Sequence, residues 1–213
     1  MSHFTVKHLF SPSVRDVCMA NFKKMRVPLT GKRPAARAAV LAPLCAPGGR
    51  VSLLYTVRSP MLRAHSGQIS FPGGKCDLNE TPAQTALRET EEETGLKQNK
   101  IEIWGEGPEF PGRNNKVIIT PVIGSIMDLK KEDFNVNKNE VAEVFAISLE
   151  SFCDPKNQHH TQFTNGFILP VFSVEGYKIW GVTAYITHSI LRSLLPADVY
   201  KNDWTSKKVK LQP

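Results

Sequence analysis

The spacing of apolar positions changes several times along the chain, and each change marks an element. "RAAVLAPLC" (37–45) and "RVSLLYTVR" (50–58) are apolar runs with β-branched residues, separated by Pro47-Gly48-Gly49, and predict two strands around a turn. A loop rich in Gly, Ser and Pro follows over 59–74. Between 82 and 94 the period lengthens: Ala83, Ala86, Leu87, Thr90 and Thr94 recur at helical spacing. Thr81 suits the N-cap, Pro82 the first helical position, Gln84 completes a capping box and Gly95 ends the helix. "IEIWG", "KVIITPVIGSI" and "EVAEVFAIS" predict further strands, and "FILPVFSVEGYKIWG" predicts a hairpin turning at Glu175-Gly176. A last helix is expected over 182–195, stopped by Pro196, and a short one at about Ser13–Met25. Strands mixed with two or three helices, without regular βαβ alternation, predict an α/β sandwich around a mixed sheet. The expected layout is a basic N-terminal extension (1–35), one domain (36–196) and a polar C-terminal tail (197–213).

Composition narrows the class. With 213 residues, 41% of them hydrophobic, the chain can bury a real core. No apolar run approaches the length that spans a bilayer, so a soluble protein without a membrane partner is expected. Cys18, Cys45, Cys76 and Cys153 form no CxxC pair, which disfavours a disulfide framework or a zinc site. The net charge is +7, but residues 1–40 hold eight Lys/Arg and one acid, Asp16, while 41–213 hold nineteen of each sign. The excess therefore sits in the N-terminal segment, and a neutral body does not favour nucleic acid. That acid-poor segment has the composition of an organellar transit peptide, and equally that of a short helix followed by a basic linker. The C-terminal Leu-Gln-Pro is not the peroxisomal tripeptide.

Candidate chemistry concentrates in "RETEEETG" (88–95), which packs four glutamates into five positions. At about 100° per residue, Glu89, Glu92 and Glu93 share one helix face, while Glu91 points away. Three carboxylates on one patch make a hard-oxygen site of the kind Mg²⁺ prefers, completed by waters and phosphate oxygens. Arg88, one turn before Glu92, can hold that carboxylate. Glutamates alone would more often form a solvated acidic face.

The surrounding spacing changes that balance. Gly74, Glu80, Arg88-Glu89, Glu92-Glu93 and Gly95-Leu96 spell GX5EX7REUXEEXGU, and the stretch resembles the Nudix box, with Thr90 in place of the usual bulky aliphatic residue. The resemblance implies a Nudix-type α/β/α sandwich that hydrolyses a nucleoside diphosphate linked to another group. It implies metal binding by Glu89, Glu92 and Glu93 with Gly74, catalytic roles for those glutamates and Arg88, and a loop-shaping role for Glu80. Mg²⁺ or Mn²⁺ is the expected cofactor. Glu89, Glu140 and Glu143 are all candidates for the general base.

Just upstream, "LLYTVRSPMLRAHSGQISFPGG" resembles the signature LLTxR(S/A)x3Rx3Gx3FPGG of Nudix coenzyme A diphosphatases, with Tyr55 for the second leucine. The resemblance extends over roughly 36–195 and is nearest the eukaryotic organellar branch. It implies coenzyme A and acyl-CoA as substrates, 3′,5′-ADP and 4′-phosphopantetheine or its acyl form as products, and a mitochondrial or peroxisomal location, with mitochondria favoured. Arg58 and Arg63 can give bidentate contacts to phosphates, while Gly67 and Gly73 let backbone approach a ligand. His65 is given no catalytic role. The alternatives are a Nudix pyrophosphatase for ADP-ribose, NADH or capped RNA and, from another class, a non-catalytic binding protein, which would be expected to have lost the glutamates retained here.

Overall fold

The computed structural model describes residues 3–27, 36–62, 66–112, 116–162, 166 and 168–209. In chain order the elements are α1 (Val6–Leu9), α2 (Pro12–Lys23), β1 (Ala36–Cys45), β2 (Ser52–Arg58), β3 (Ile69–Ser70), β4 (Gly73–Lys75) and α3 (Pro82–Thr94). There follow β5 (Glu102–Glu106), β6 (Phe110–Pro111), β7 (Val117–Ile126), β8 (Val141–Ser148), α4 (Leu149–Cys153), β9 (Gln158–Gln162), β10 (Ile168–Val174), β11 (Tyr177–Ile179) and α5 (Gly181–Leu194). The main sheet runs β3-β2-β1-β7-β5, with β4 added to β1, β6 to β7 and β8 to β2. Among the described strands of this sheet only β1 and β7 pair in parallel, from Ala36↔Val117 to Cys45↔Ile126, so the sheet is mixed. A second, antiparallel sheet has the order β11-β10-β9. This is the α/β sandwich with a mixed sheet that the sequence predicts.

Side-chain alternation assigns the two faces of the main sheet. Ala39 and Leu41 of β1, Leu54 of β2 and Val122 of β7 join Ala86 and Leu96 in the core beneath α3. Their neighbours Ala42, Leu44, Leu53, Tyr55 and Ile123 point the other way, into a larger core shared with α2, α5 and the second sheet. Because both faces are covered, the strands read as continuous apolar runs. Burying each large apolar side chain contributes about 1.5–3 kcal/mol before entropy is counted. Tyr55, in place of leucine, is fully buried, and its hydroxyl meets Thr187 Oγ1 at 2.9 Å, so the polar atom has a partner. Thr90, the departure within the glutamate-rich box, is also fully buried. Its Oγ1 donates to the Ala86 carbonyl at 2.6 Å, which removes the cost of an unsatisfied hydroxyl.

The described parts of both end segments contribute to this core. The expected N-terminal helix is α2, with Ser11 as N-cap, and Cys18, Met19 and Phe22 are buried. The segment 197–213 was expected to be merely a polar tail; its described part instead returns Tyr200 and Trp204 to the interior, at 3% and 8% exposure. The reason is His188 on α5. Its Nδ1 accepts from Trp204 Nε1 at 3.2 Å and lies 2.9 Å from the Tyr200 hydroxyl. An indole N–H only donates, so Nδ1 carries no proton. Burial, aided by the nearby Arg192 charge, pushes His188 down from 6.5 to about 3. A depressed histidine pKa means the unfolded chain binds the proton more readily than the folded one. The contribution of neutral His188 is therefore complete above pH 6.5 and declines as pH falls from 6.5 toward 3. Urea-unfolding midpoints are expected to fall less steeply over that window in His188→Gln than in the wild type; equal slopes would remove His188 from the account.

Candidate active site

The site forms where β1 and β2 separate. They pair only at Leu44↔Leu53 and Cys45↔Ser52, and β4 takes the vacated edge of β1 at Ala38, Ala39 and Val40. The Leu41 N–H donates to the Pro72 carbonyl at 2.8 Å, pinning the chain as it enters β4. Gly73 has φ +148°, and a Cβ there would overlap the Ala39 carbonyl oxygen. A Cβ on Gly74 would overlap the Glu89 carboxylate. These two glycines let the β4 backbone approach both the sheet and α3.

The helix α3 forms as its caps dictate. Gln84 N–H donates to Thr81 Oγ1 at 3.2 Å and Thr81 N–H to Gln84 Oε1 at 2.9 Å, a complete capping box. Glu93, two turns on, is only 4% exposed, and its Oε2 accepts the Gly73 N–H at 3.2 Å. Burial raises its pKa to about 7. Burial also raises Glu89, partly countered by Arg88, and the charge of Glu140 raises both glutamates further. Glu140 therefore belongs electrostatically with Glu89 and Glu93, and its backbone carbonyl accepts the Ser59 N–H at 2.8 Å. Glu143 does not join them: its Oε1 accepts from the Tyr177 hydroxyl at 2.6 Å. Glu91, on another face, pairs with Lys97 at 2.8 Å.

Arg88 organises the carboxylates. Its Nε donates to Glu80 Oε1 at 2.8 Å and its Nη2 to Glu80 Oε2 at 3.0 Å, holding Glu80 down to about 2. Its Nη1 reaches Glu89 Oε1 at 3.0 Å and Glu92 Oε2 at 3.1 Å, and its Nη2 meets the Lys75 carbonyl at 3.3 Å. Glu92 nevertheless leaves its side chain 56% exposed, while Glu89 and Glu93 face the Gly73-Gly74 loop. Among the described residues no three His, Cys, Asp or Glu side chains are gathered around one point. The donor chemistry nevertheless fits a divalent cation. Glu93 is buried and Glu89 half-buried, two carboxylates that repel one another and Glu140, and a cation beside them would remove that cost. Arg88→Lys keeps the charge but not the fork, and cannot span Glu80, Glu89 and Glu92 together. It is expected to lower the thermal midpoint by several degrees and turnover about tenfold. Scanning calorimetry and steady-state rates check this.

The upstream signature meets the same place. Arg58 ends β2 with Nη1 4.0 Å from Glu93 Oε1, and its buried Nε has no hydrogen-bond partner among the described residues. The Gly67 N–H donates to the Arg58 carbonyl at 3.0 Å, and Arg58 N–H to the Gln68 carbonyl at 2.9 Å. Space around a Gly67 Cβ is open, so this glycine shapes the hairpin rather than making room within it. Arg63 and His65 lie outside the described residues. One further carboxylate escaped sequence reasoning: Glu106 Oε1 accepts the Ala83 N–H in the first turn of α3, at 3.2 Å. Its only sequence signal is a lone acid between Gly105 and Gly107.

A mixed sheet, a forked β1 edge and a glutamate-bearing helix on a glycine loop are the architecture of a diphosphate-hydrolysing α/β sandwich. The NUDIX domain model matches residues 35–167, and the chain belongs to the Nudix family of hydrolases. The mitochondrial coenzyme A diphosphatase NUDT8 of Mus musculus is 44% identical over 170 residues, 77% of this chain and 80% of that one. NUDT8 of Homo sapiens is 42% identical over 171 residues, 77% of this chain and 71% of that one. The peroxisomal coenzyme A diphosphatase NUDT7 of Mus musculus is 35% identical over 157 residues, 68% of this chain and 64% of that one. Nudix hydrolases use divalent metal ions. Among the described residues no helix is long and apolar enough to cross a membrane.

Proposed function

We propose that this chain hydrolyses the diphosphate bond of coenzyme A and acyl-CoA, giving 3′,5′-ADP and 4′-phosphopantetheine or its acyl form. The observation that carries the reading is the meeting of two motifs: Arg58 of the substrate signature stands 4.0 Å from Glu93 of the glutamate box. The names of the similar mitochondrial enzymes support it, and they support mitochondria over peroxisomes as the location. Glu89 and Glu93, with Glu92 and the Gly74 backbone, are the residues that would hold Mg²⁺ or Mn²⁺. Such a cation, when bound, neutralises a diphosphate and lowers the pKa of a bound water.

The protein's own groups divide the remaining work. Arg58 offers a permanent positive charge beside the carboxylates, suited to phosphate oxygens, and Arg63 and Gly73 complete the proposed substrate contacts. Arg88 fixes the helix carboxylates against Glu80 and acts on substrate only through them. Among the candidates for the general base, the carboxylate charge of Glu140 acts on Glu89 and Glu93, whereas that of Glu143 is engaged by Tyr177, which favours Glu140. A proton taken from water would be held there or on Glu89. The test incubates the protein with coenzyme A, an acyl-CoA, ADP-ribose, NADH and capped RNA, with Mg²⁺, Mn²⁺ or chelator, and separates the products. Release of 3′,5′-ADP from coenzyme A is expected. Turnover confined to another nucleotide would overturn the substrate assignment.

A further inference from the structure

Helix α2, within the segment whose composition suits a removable leader, packs on the sheet face opposite the catalytic helix. Phe22 of α2 is fully buried, and a Cβ on Gly107 would overlap its ring. A Cβ on Gly105 would come within 2.9 Å of the Met19 methyl. The two glycines flanking Glu106 are thus the space that α2 fills. Polar contacts fix it there: Arg15 Nη1 pairs with Glu102 Oε1 on β5 at 2.5 Å, and Asn21 Nδ2 donates to the Ser193 carbonyl of α5 at 3.3 Å. Strand alternation turns Glu106 away from α2 and toward α3. There it accepts the Ala83 N–H. The capping box leaves that donor free: Gln84 N–H goes to the Thr81 side chain and Thr85 N–H to the Thr81 carbonyl, while Pro82 has none. A carboxylate at this end also complements the helix dipole.

We propose that α2 remains in the working enzyme as a brace, and that Glu106 is the positioning residue through which it sets α3, and with it Glu89 and Glu93, against the Gly73-Gly74 loop. The activity assay rests on the proposed diphosphatase reaction, so a second readout is independent of it. In the full-length chain, Glu106→Ala and Phe22→Leu are each expected to speed hydrogen exchange at the Ala83 amide, with folding checked by circular dichroism. Turnover of coenzyme A in Glu106→Ala is expected to fall roughly tenfold with KM within about twofold, since small misplacements of reacting groups act on the chemical step. Glu106→Gln, whose amide oxygen still accepts, should recover most of the rate. The double variant should lose little more than Glu106→Ala alone, because the two residues act through one contact. Unchanged Ala83 exchange in folded Glu106→Ala, or rate losses that multiply, would overturn the brace. An inactive wild type would count against the reaction alone, leaving exchange to decide. Enzyme recovered from organelles is expected to retain the tryptic peptide Asp16–Lys23; an active species beginning at or after Lys24 would also overturn the proposal.

Discussion

Glu93→Gln is expected to leave the fold intact and to lower turnover by roughly 10²-fold or more, the scale of losing a metal-site ligand or a positioned acid–base group. The amide oxygen of glutamine can still accept the Gly73 N–H, so the contact between α3 and β4 survives. What disappears is a buried negative charge facing Arg58. Glu91→Gln is the matched control: the same change on the same helix, in a residue that pairs with exposed Lys97 and hydrogen-bonds Gln98 away from the Gly73-Gly74 loop, should stay within about twofold. Steady-state kinetics with circular dichroism on both variants decide the matter. Equal losses in the two would mean that helix charge in general, rather than this carboxylate, carries the chemistry.

Gly73→Ala is expected to harm stability and activity together. A side chain there meets a backbone oxygen, which cannot rotate aside, and φ +148° is strained for any residue with a Cβ. Strain of this kind costs about 1–3 kcal/mol, and relieving it means withdrawing β4 from β1. The Gly73 N–H would leave Glu93, and Glu89 would lose the surface it packs against. A lowered denaturation midpoint with turnover reduced at least tenfold is therefore expected. Gly67→Ala provides the contrast. Its site is open, so its cost arises from a φ of +70° alone.

Some of this could be read from the chain and some could not, for physical reasons. The helix α3 was legible because its caps, period and charges are local: Thr81, Gln84 and the glutamates lie within one segment. The long strands were legible from apolar runs. Strand β9, "QHHTQ", was not, because Gln158 is buried by hydrogen bonds rather than by an apolar side chain: Nε2 donates to the Phe152 carbonyl and Oε1 accepts from Asp203 N–H. Helical spacing put Glu89, Glu92 and Glu93 on one face but could not say that Glu92 would be exposed while Glu93 is buried. Nor could spacing show that Glu140 and Glu143, three positions apart, face different partners. The buried faces of α2 and of Trp204 depend on contacts with distant elements, which no local window contains.

The parallel pairing of β1 with β7 has a consequence for synthesis. It joins segments about 80 residues apart, and the Gly73-Gly74 loop, α3 and Glu106 all lie within the span it closes. The sheet's central pair cannot form until β7 has left the ribosome, so α3 emerges before the strand that completes the sheet beneath it. Meanwhile the apolar β1 waits without its central partner, a state that invites misassociation. Refolding should accordingly be slowed by long closures of this kind, the β2–β8 pairing from Ser52↔Ser148 among them, and holdase chaperones should engage nascent chains that end before Val117 more strongly than chains extending past Ile126.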